Sequence, residues 1–169
     1  MPAGTGSGVI AIDLFVPGLP VPQGSKRALP IRKKVDGELR IVGSRVVDDN
    51  PVSLERWRGD VREAARRAWA GKALLDGPVA IDLVFWLPRP KSHYFTGRRA
   101  GVIRPDAPKY QAVKPDRDKL DRAVLDALTA VVFTDDSRAA DGRTRKLYAD
   151  DGRIGVAVRV ADLRDTFPI

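Results

Sequence analysis

The chain has no cysteine. That excludes disulfide staples and zinc–thiolate sites. There is a single histidine, His93, which could serve as a general base, although a lone histidine in a basic loop is more often incidental. No apolar run reaches the 18 or so residues that a membrane-spanning helix needs. The first eight residues carry no basic side chain, and no signal peptide is read from them. The cytoplasm is therefore the expected compartment, that of the host cell if the chain is encoded by a phage.

What is abundant is charge. Thirty Lys and Arg stand against 22 Asp and Glu, a formal net charge of +8 with a sequence pI near 10.1. Such a balance favours a polyanionic partner. No basic amphipathic helix dominates the chain, which argues for nucleic acid over a membrane surface. At 169 residues, 43% of them hydrophobic, the chain is long enough for one real core. We read residues 1–169 as a single domain with a flexible tail over 1–8 and basic loops over 18–50 and 88–114.

Against this basic background the carboxylates are concentrated. Asp116 and Asp118 precede an apolar run, Leu120, Val124, Ala127, Leu128 and Val131, whose spacing predicts a helix over about 117–129. A second pair, Asp135–Asp136, follows it. The helix rises roughly 15 Å from 118 to 128. An extended Thr129–Asp135 spans about 20 Å. If that segment doubles back, the two pairs can meet at one level. Carboxylates suit Mg²⁺, a hard ion that prefers oxygen ligands. Bound Mg²⁺ can activate water and neutralise charge building on a phosphate. Arg122, four residues after Asp118, shares its helix face and can pair with it or hold a scissile phosphate. It stays protonated and cannot serve as a general acid. Each pair also has an ordinary reading, a helix-capping acid for Asp116 and Asp118 and a turn for Asp135–Asp136. Asp121 and Asp126 are assigned to a solvated helix face or structural pairing.

These residues resemble the RusA family of Holliday junction resolvases, the crossover-junction endodeoxyribonucleases common in phages. The family pattern Asp-x-Asp-Asn-Leu-x-Lys-x-x-x-Asp-Ala-Leu, followed by Asp-Asp, is similar to Asp116-Arg-Asp118-Lys119-Leu120-Asp-Arg122-Ala-Val-Leu-Asp126-Ala127-Leu128, then Asp135-Asp136. Lys119 stands where the family has Asn, and Arg122 where it has Lys. The resemblance implies that Asp116, Asp118 and Asp136 carry Mg²⁺ (Mn²⁺ is the alternative ion), with Asp135 assisting. It also implies a homodimer acting on four-way DNA junctions. Two other readings compete: a basic DNA-binding protein without catalysis, and a nuclease for other branched DNA.

Along the rest of the chain, Val9–Val16 reads as a first strand. The stretch Pro20-Val-Pro22-Gln23-Gly24-Ser25-Lys26-Arg27 breaks regular structure, and similar stretches in the family imply a DNA-facing loop. Ile31–Val35 and Leu39–Gly43 flank Asp36-Gly37, a hairpin signal, so a basic arm is expected. A helix is expected after Asn50-Pro51, with Ser53 as cap, its body from Arg56, and Trp57 and Trp69 in its apolar stripe. Val79–Leu87 reads as a central strand. Residues 88–114 lack periodicity and interleave cations with His93, Tyr94, Phe95 and Tyr110, a mixture suited to phosphates and unpaired bases. DNA contact is assigned to Lys26, Arg27, Arg89, Lys91, Lys114 and Lys119. Ser137–Tyr148 and Gly152–Val160 are expected to pair as a hairpin around Asp150-Asp151-Gly152. The expected fold is α/β in the mixed α+β sense, one mixed sheet of about four strands packed with two main helices.

Overall fold

The computed structural model describes residues 9–24, 26–35, 38–48 and 51–164. The expected tail over 1–8, the Asp36-Gly37 turn and Asn50 lie outside the described residues.

The centre of the molecule is β4 (Val79–Leu87), where the sequence places its strongest strand. Its odd-numbered residues, from Val79 to Leu87, are all buried, whereas Asp82, Val84 and Trp86 are only half-buried. One face of β4 therefore meets the core while the other is more open, as the two-residue period of a strand dictates. On one side of β4 lies β7 (Gly155–Asp162), antiparallel to it, and beyond that β1 (Val9–Pro17), antiparallel to β7. On the other side two short strands share the same edge. β5 (Ala139–Asp141) runs parallel to β4 at Val79, and β6 (Thr144–Tyr148) runs parallel to it from Leu83 to Leu87. The sheet is thus mixed, with five strands.

Two helices pack on the core side. α1 (Pro51–Trp69) buries Leu54, Trp57, Val61, Ala65 and Trp69. α2 (Arg117–Leu128) buries Leu120, Ala123, Val124, Ala127 and Leu128. The period of 3.6 residues puts each set on one face. Together with Val79, Phe85, Val156, Val158 and Val160 of the sheet they form one core cluster. Both Trp57 and Trp69 belong to it. α1 begins at Pro51, earlier than the sequence suggests, because proline at a first helical position loses no hydrogen bond.

Two expectations are corrected. Residues 137–160 do not form a hairpin: β6 and β7 each pair with β4, which lies between them. The apolar run of β4 buries more surface as a central strand than an edge position would allow, and Asp150–Gly152 turns over its end, not between paired neighbours. Nor does Thr129–Asp135 run back along α2 as an extended segment. Ala130 takes φ 59, and Val132 donates its N–H to Leu128 O at 2.9 Å, so the chain curls tightly under the end of α2. The return is made later, by β5 and β6.

Apart from the main sheet stand β2 (Lys26–Val35) and β3 (Glu38–Asp48), an antiparallel ribbon much longer than the hairpin read from sequence. It replaces most of the basic loop expected over 18–50.

Candidate functional site

α2 opens at Asp116, its N-cap residue, whose carbonyl accepts from Leu120 N–H at 3.2 Å. Asp118 sits in the first turn, favoured there by the positive end of the helix dipole. Both carboxylates are exposed. Lys119 Nζ lies 3.4 Å from Asp116 Oδ2. Arg122 is exposed one turn on from Asp118, on the same face, and has no ion pair among the described residues.

The acidic end of α2 is held from two sides. On one side, Gln111 N–H donates to Lys146 O at 3.0 Å, and Lys146 Nζ donates to Val113 O at 2.7 Å and also to Pro115 O. The segment leading into Asp116 is thereby stapled to β6. On the other side, Gln23 N–H donates to Lys119 O at 2.8 Å. Arg58 Nη2, from α1, donates to both Gln23 Oε1 and Asp126 Oδ2. Asp126 is thus a structural partner, and Gln23 turns inward from a loop that the sequence reading pointed toward DNA.

Along its side α2 faces β5 and β6 in antiparallel order. Leu125 lines a cleft with Ala139 and Ala140, Asp121 with Gly142 and Thr144, and Arg117 with Arg143 and Arg145. The part of this cleft lined by Arg117, Asp121, Gly142, Arg143, Thr144 and Arg145 has a volume of about 340 Å³. Asp121 is half-buried in it. Burial raises its carboxyl above the ordinary 3.8, although the Thr144 hydroxyl and Arg117 act the other way. Its Oδ1 has no hydrogen-bond partner among the described residues. The sequence reading left Asp121 on a solvated helix face or in structural pairing, without its place against β5 and β6.

The same antiparallel order places the second acidic pair. Asp135 and Asp136 precede β5 and so lie toward the C-terminal end of α2, whereas Asp116 and Asp118 lie at its N-terminal end. Asp135 caps a short 3-10 turn over Asp136–Arg138 and accepts from Ser137 N–H at 3.0 Å. The Ser137 hydroxyl, then its backbone N–H, holds this carboxyl below the usual range. Asp136 is exposed. Among the described residues, no three carboxylate or histidine groups stand close enough to hold a metal ion. The donor type suits Mg²⁺, an ion that one or two carboxylates can hold together with waters and substrate phosphates.

The expected DNA-contacting residues divide. Lys91 and Lys114 are exposed, and Lys119 is half-buried. Lys26 and Arg27 open β2, and their side chains lie outside the described residues. Arg89 differs from its expected place on the surface: its side chain is only 2% exposed. Its guanidinium pairs with Asp150, donates to Pro108 O at 2.9 Å and stands over the Tyr148 ring. His93 packs edge-on against Tyr148 at 4.9 Å in the same cluster. The segment over 88–114 is ordered around this cluster, with bridges from Tyr94 to Ile103 and from Tyr110 to Leu147.

The sequence matches the model of the family described as "Endodeoxyribonuclease RusA" over residues 18–159. It is 30% identical to "Uncharacterized protein YqaN" of Bacillus subtilis (strain 168) over 93 residues, 52% of this chain and 61% of that relative. The chain thus spans about three fifths of the length of the curated relative it matches.

Proposed function

We infer the activity from one premise: the chain belongs to the RusA family of endodeoxyribonucleases. We propose that it hydrolyses phosphodiester bonds in branched DNA, four-way junctions above all, and that it requires a divalent cation, Mg²⁺ or Mn²⁺. The supporting observation is the exposed Asp116–Asp118 pair at the first turn of α2, ringed by Lys114, Arg117, Lys119 and Arg122. Cations draw the DNA backbone to this end of the helix, and binding of that kind weakens steeply with salt.

In this reading Asp116, Asp118 and Asp136 carry the metal, with Asp135 beside them. Arg122 holds a phosphate, since its proton does not leave. Because Asp136 and Asp118 lie toward opposite ends of α2, the three carboxylates meet in this reading through a homodimer that sets one copy's Asp118 beside the partner's Asp136. A two-fold pair of such sites suits a substrate with two strands to cut symmetrically. Lys26, Arg27, Lys91, Lys114 and Lys119 make backbone contacts, while Arg89 holds the fold. That no three carboxylates gather among the described residues also supports a second reading, a DNA-binding protein that does not cut.

One experiment separates the two. The protein is incubated with a synthetic immobile four-way junction and a matched linear duplex, with Mg²⁺ and with chelator, beside Asp118→Asn. Paired nicks on the junction that vanish with chelator, and a loss of rate of about 10²-fold or more in Asp118→Asn with junction binding retained, are expected. Binding without cutting establishes the second reading. Cutting at the normal rate by Asp118→Asn removes this residue from the site.

A further inference from the structure

The ribbon of β2 and β3 has no place in the main sheet. The side chains described toward its tip, Pro30–Lys34 and Glu38–Gly43, are all exposed. An isolated two-stranded hairpin is marginal in water. This one also leaves Leu39 71%, Ile41 67% and Val42 51% exposed, which the core could have used. The pairing register sets the chemistry of its faces. Arg32 stands opposite Ile41 and Lys34 opposite Leu39, so one face interleaves cations with aliphatics; Lys33 stands opposite Arg40 on the other. Glu38 is the only acidic side chain described on this tip, and it already lies 3.7 Å from Arg40.

The root of the ribbon is fixed. Only Gly24 and Ser25 separate Lys26, where β2 begins, from Gln23. Gln23 is tied to Lys119 O on α2 and to Arg58 on α1. The ribbon therefore leaves the body beside the turn of α2 that carries Asp116 and Asp118. Its ten-residue β2 strand spans roughly 33 Å. That is the length of about ten base pairs at 3.4 Å each. A two-stranded ribbon fits the B-DNA major groove, and exposed aliphatic side chains between cations suit sugar and base edges.

We infer that the β2–β3 ribbon is an arm for duplex DNA, rooted by Gln23 at the acidic end of α2, gripping the duplex next to the cut. The inference rests on the functional reading above and adds the partner of this element. Arg32, Lys33, Lys34 and Arg40 bind phosphates, and Leu39 and Ile41 face the groove. The Gln23–Arg58–Asp126 contact sets where the arm starts relative to Asp118.

The test uses two variants of the full chain. In the first, Arg32, Lys33, Lys34 and Arg40 are all changed to Gln, which keeps the hairpin. In the second, residues 31–43 are replaced by Asn-Gly, which joins Pro30 to Ser44, paired residues in the ribbon. Circular dichroism and thermal melts report whether the body is folded. Affinity for a linear duplex and a four-way junction is measured by anisotropy over a salt series in chelator. Both variants are expected to bind at least tenfold more weakly at low salt, with the slope of log K against log salt shallower by about 3 to 4. A third measurement does not depend on weakened binding. Since the chain has no cysteine, Lys34→Cys carries one tethered iron chelate. Strand scission within about ten base pairs of the nick is expected. Unchanged affinity and slope in both variants, or scission nowhere on the duplex, overturns the arm. Conversion of a dimer to a monomer by the shortened ribbon overturns it too, since the ribbon then joins two copies. If the unaltered protein binds no DNA, it is the functional reading that fails.

Discussion

Asp121 lies half-buried between α2 and the β5–β6 edge, and burial lifts its carboxyl above the ordinary range. A carboxyl raised in the folded state favours folding while it is protonated. That contribution is present below the unfolded value and is lost as pH rises through the raised one. At neutral pH the charged form is therefore a burden on the fold. Asp121→Asn keeps an oxygen for the Thr144 hydroxyl and removes the charge. It should melt a few degrees higher than the parent at neutral pH, a gain limited because the group is partly solvated. In acid below the ordinary carboxylate range the two should melt together. Thermal melts at the two pH values check this; an equal difference at both would show that charge is not the cause. Nothing in sequence marked Asp121, whose neighbours across the cleft are more than twenty residues away in the chain. Arg89 was misplaced for the same reason. Its composition context is a basic loop, but its partners, Pro108, Tyr148 and Asp150, come from later segments. By contrast, the place of Asp116 and Asp118 at the start of α2 was legible, because their spacing before an apolar helix is local.

Elements were legible where one period governs a run. β4 runs over the very residues read from its apolar stretch, and α2 ends within a residue of its expected end. Pairing partners were not legible, because a strand's alternation says which face is buried and not which neighbour it takes. The break between β5 and β6 is a case. Gly142 has φ 143, and a Cβ there would stand 1.9 Å from Ile81 O. The close approach lets the edge switch from β5 to β6 while Arg143 N–H donates to Asp82 Oδ1 at 2.9 Å. Gly71, φ 72, follows the end of α1 with nothing within 4 Å of a Cβ. The two glycines separate conformational strain from contact. Gly71→Ala should cost about 1 kcal/mol, from the left-handed backbone alone. Gly142→Ala should cost about 2–4 kcal/mol, because the β4 backbone must also move. Urea unfolding checks both, and equal costs would mean that the sheet edge yields freely at Ile81.

At the scale of the whole molecule, the tight curl at Ala130 has the largest consequence. Had Thr129–Asp135 run back along α2, one chain would have gathered both acidic pairs; because the return is delayed to β5 and β6, it brings Arg143 and Arg145 to Arg117 instead. The proposed shared site takes one carboxylate from a second copy, and mixing tests it directly. Asp118→Asn and Asp136→Asn are each expected to be inactive alone. If every site takes Asp118 from one copy and Asp136 from its partner, a mixed dimer contains one site with both changes and one with neither. Random reassociation of equal amounts should then restore about a quarter of the parental sites, seen as single nicks and not as paired cuts. If each site is built within one chain, every site in the mixture carries a change and no activity returns. Co-refolding the two variants at equal concentration and following nicked and linear junction products on a denaturing gel distinguishes these outcomes. Recovery of paired cuts would contradict both arrangements, because a shared site leaves a mixed dimer only one intact centre.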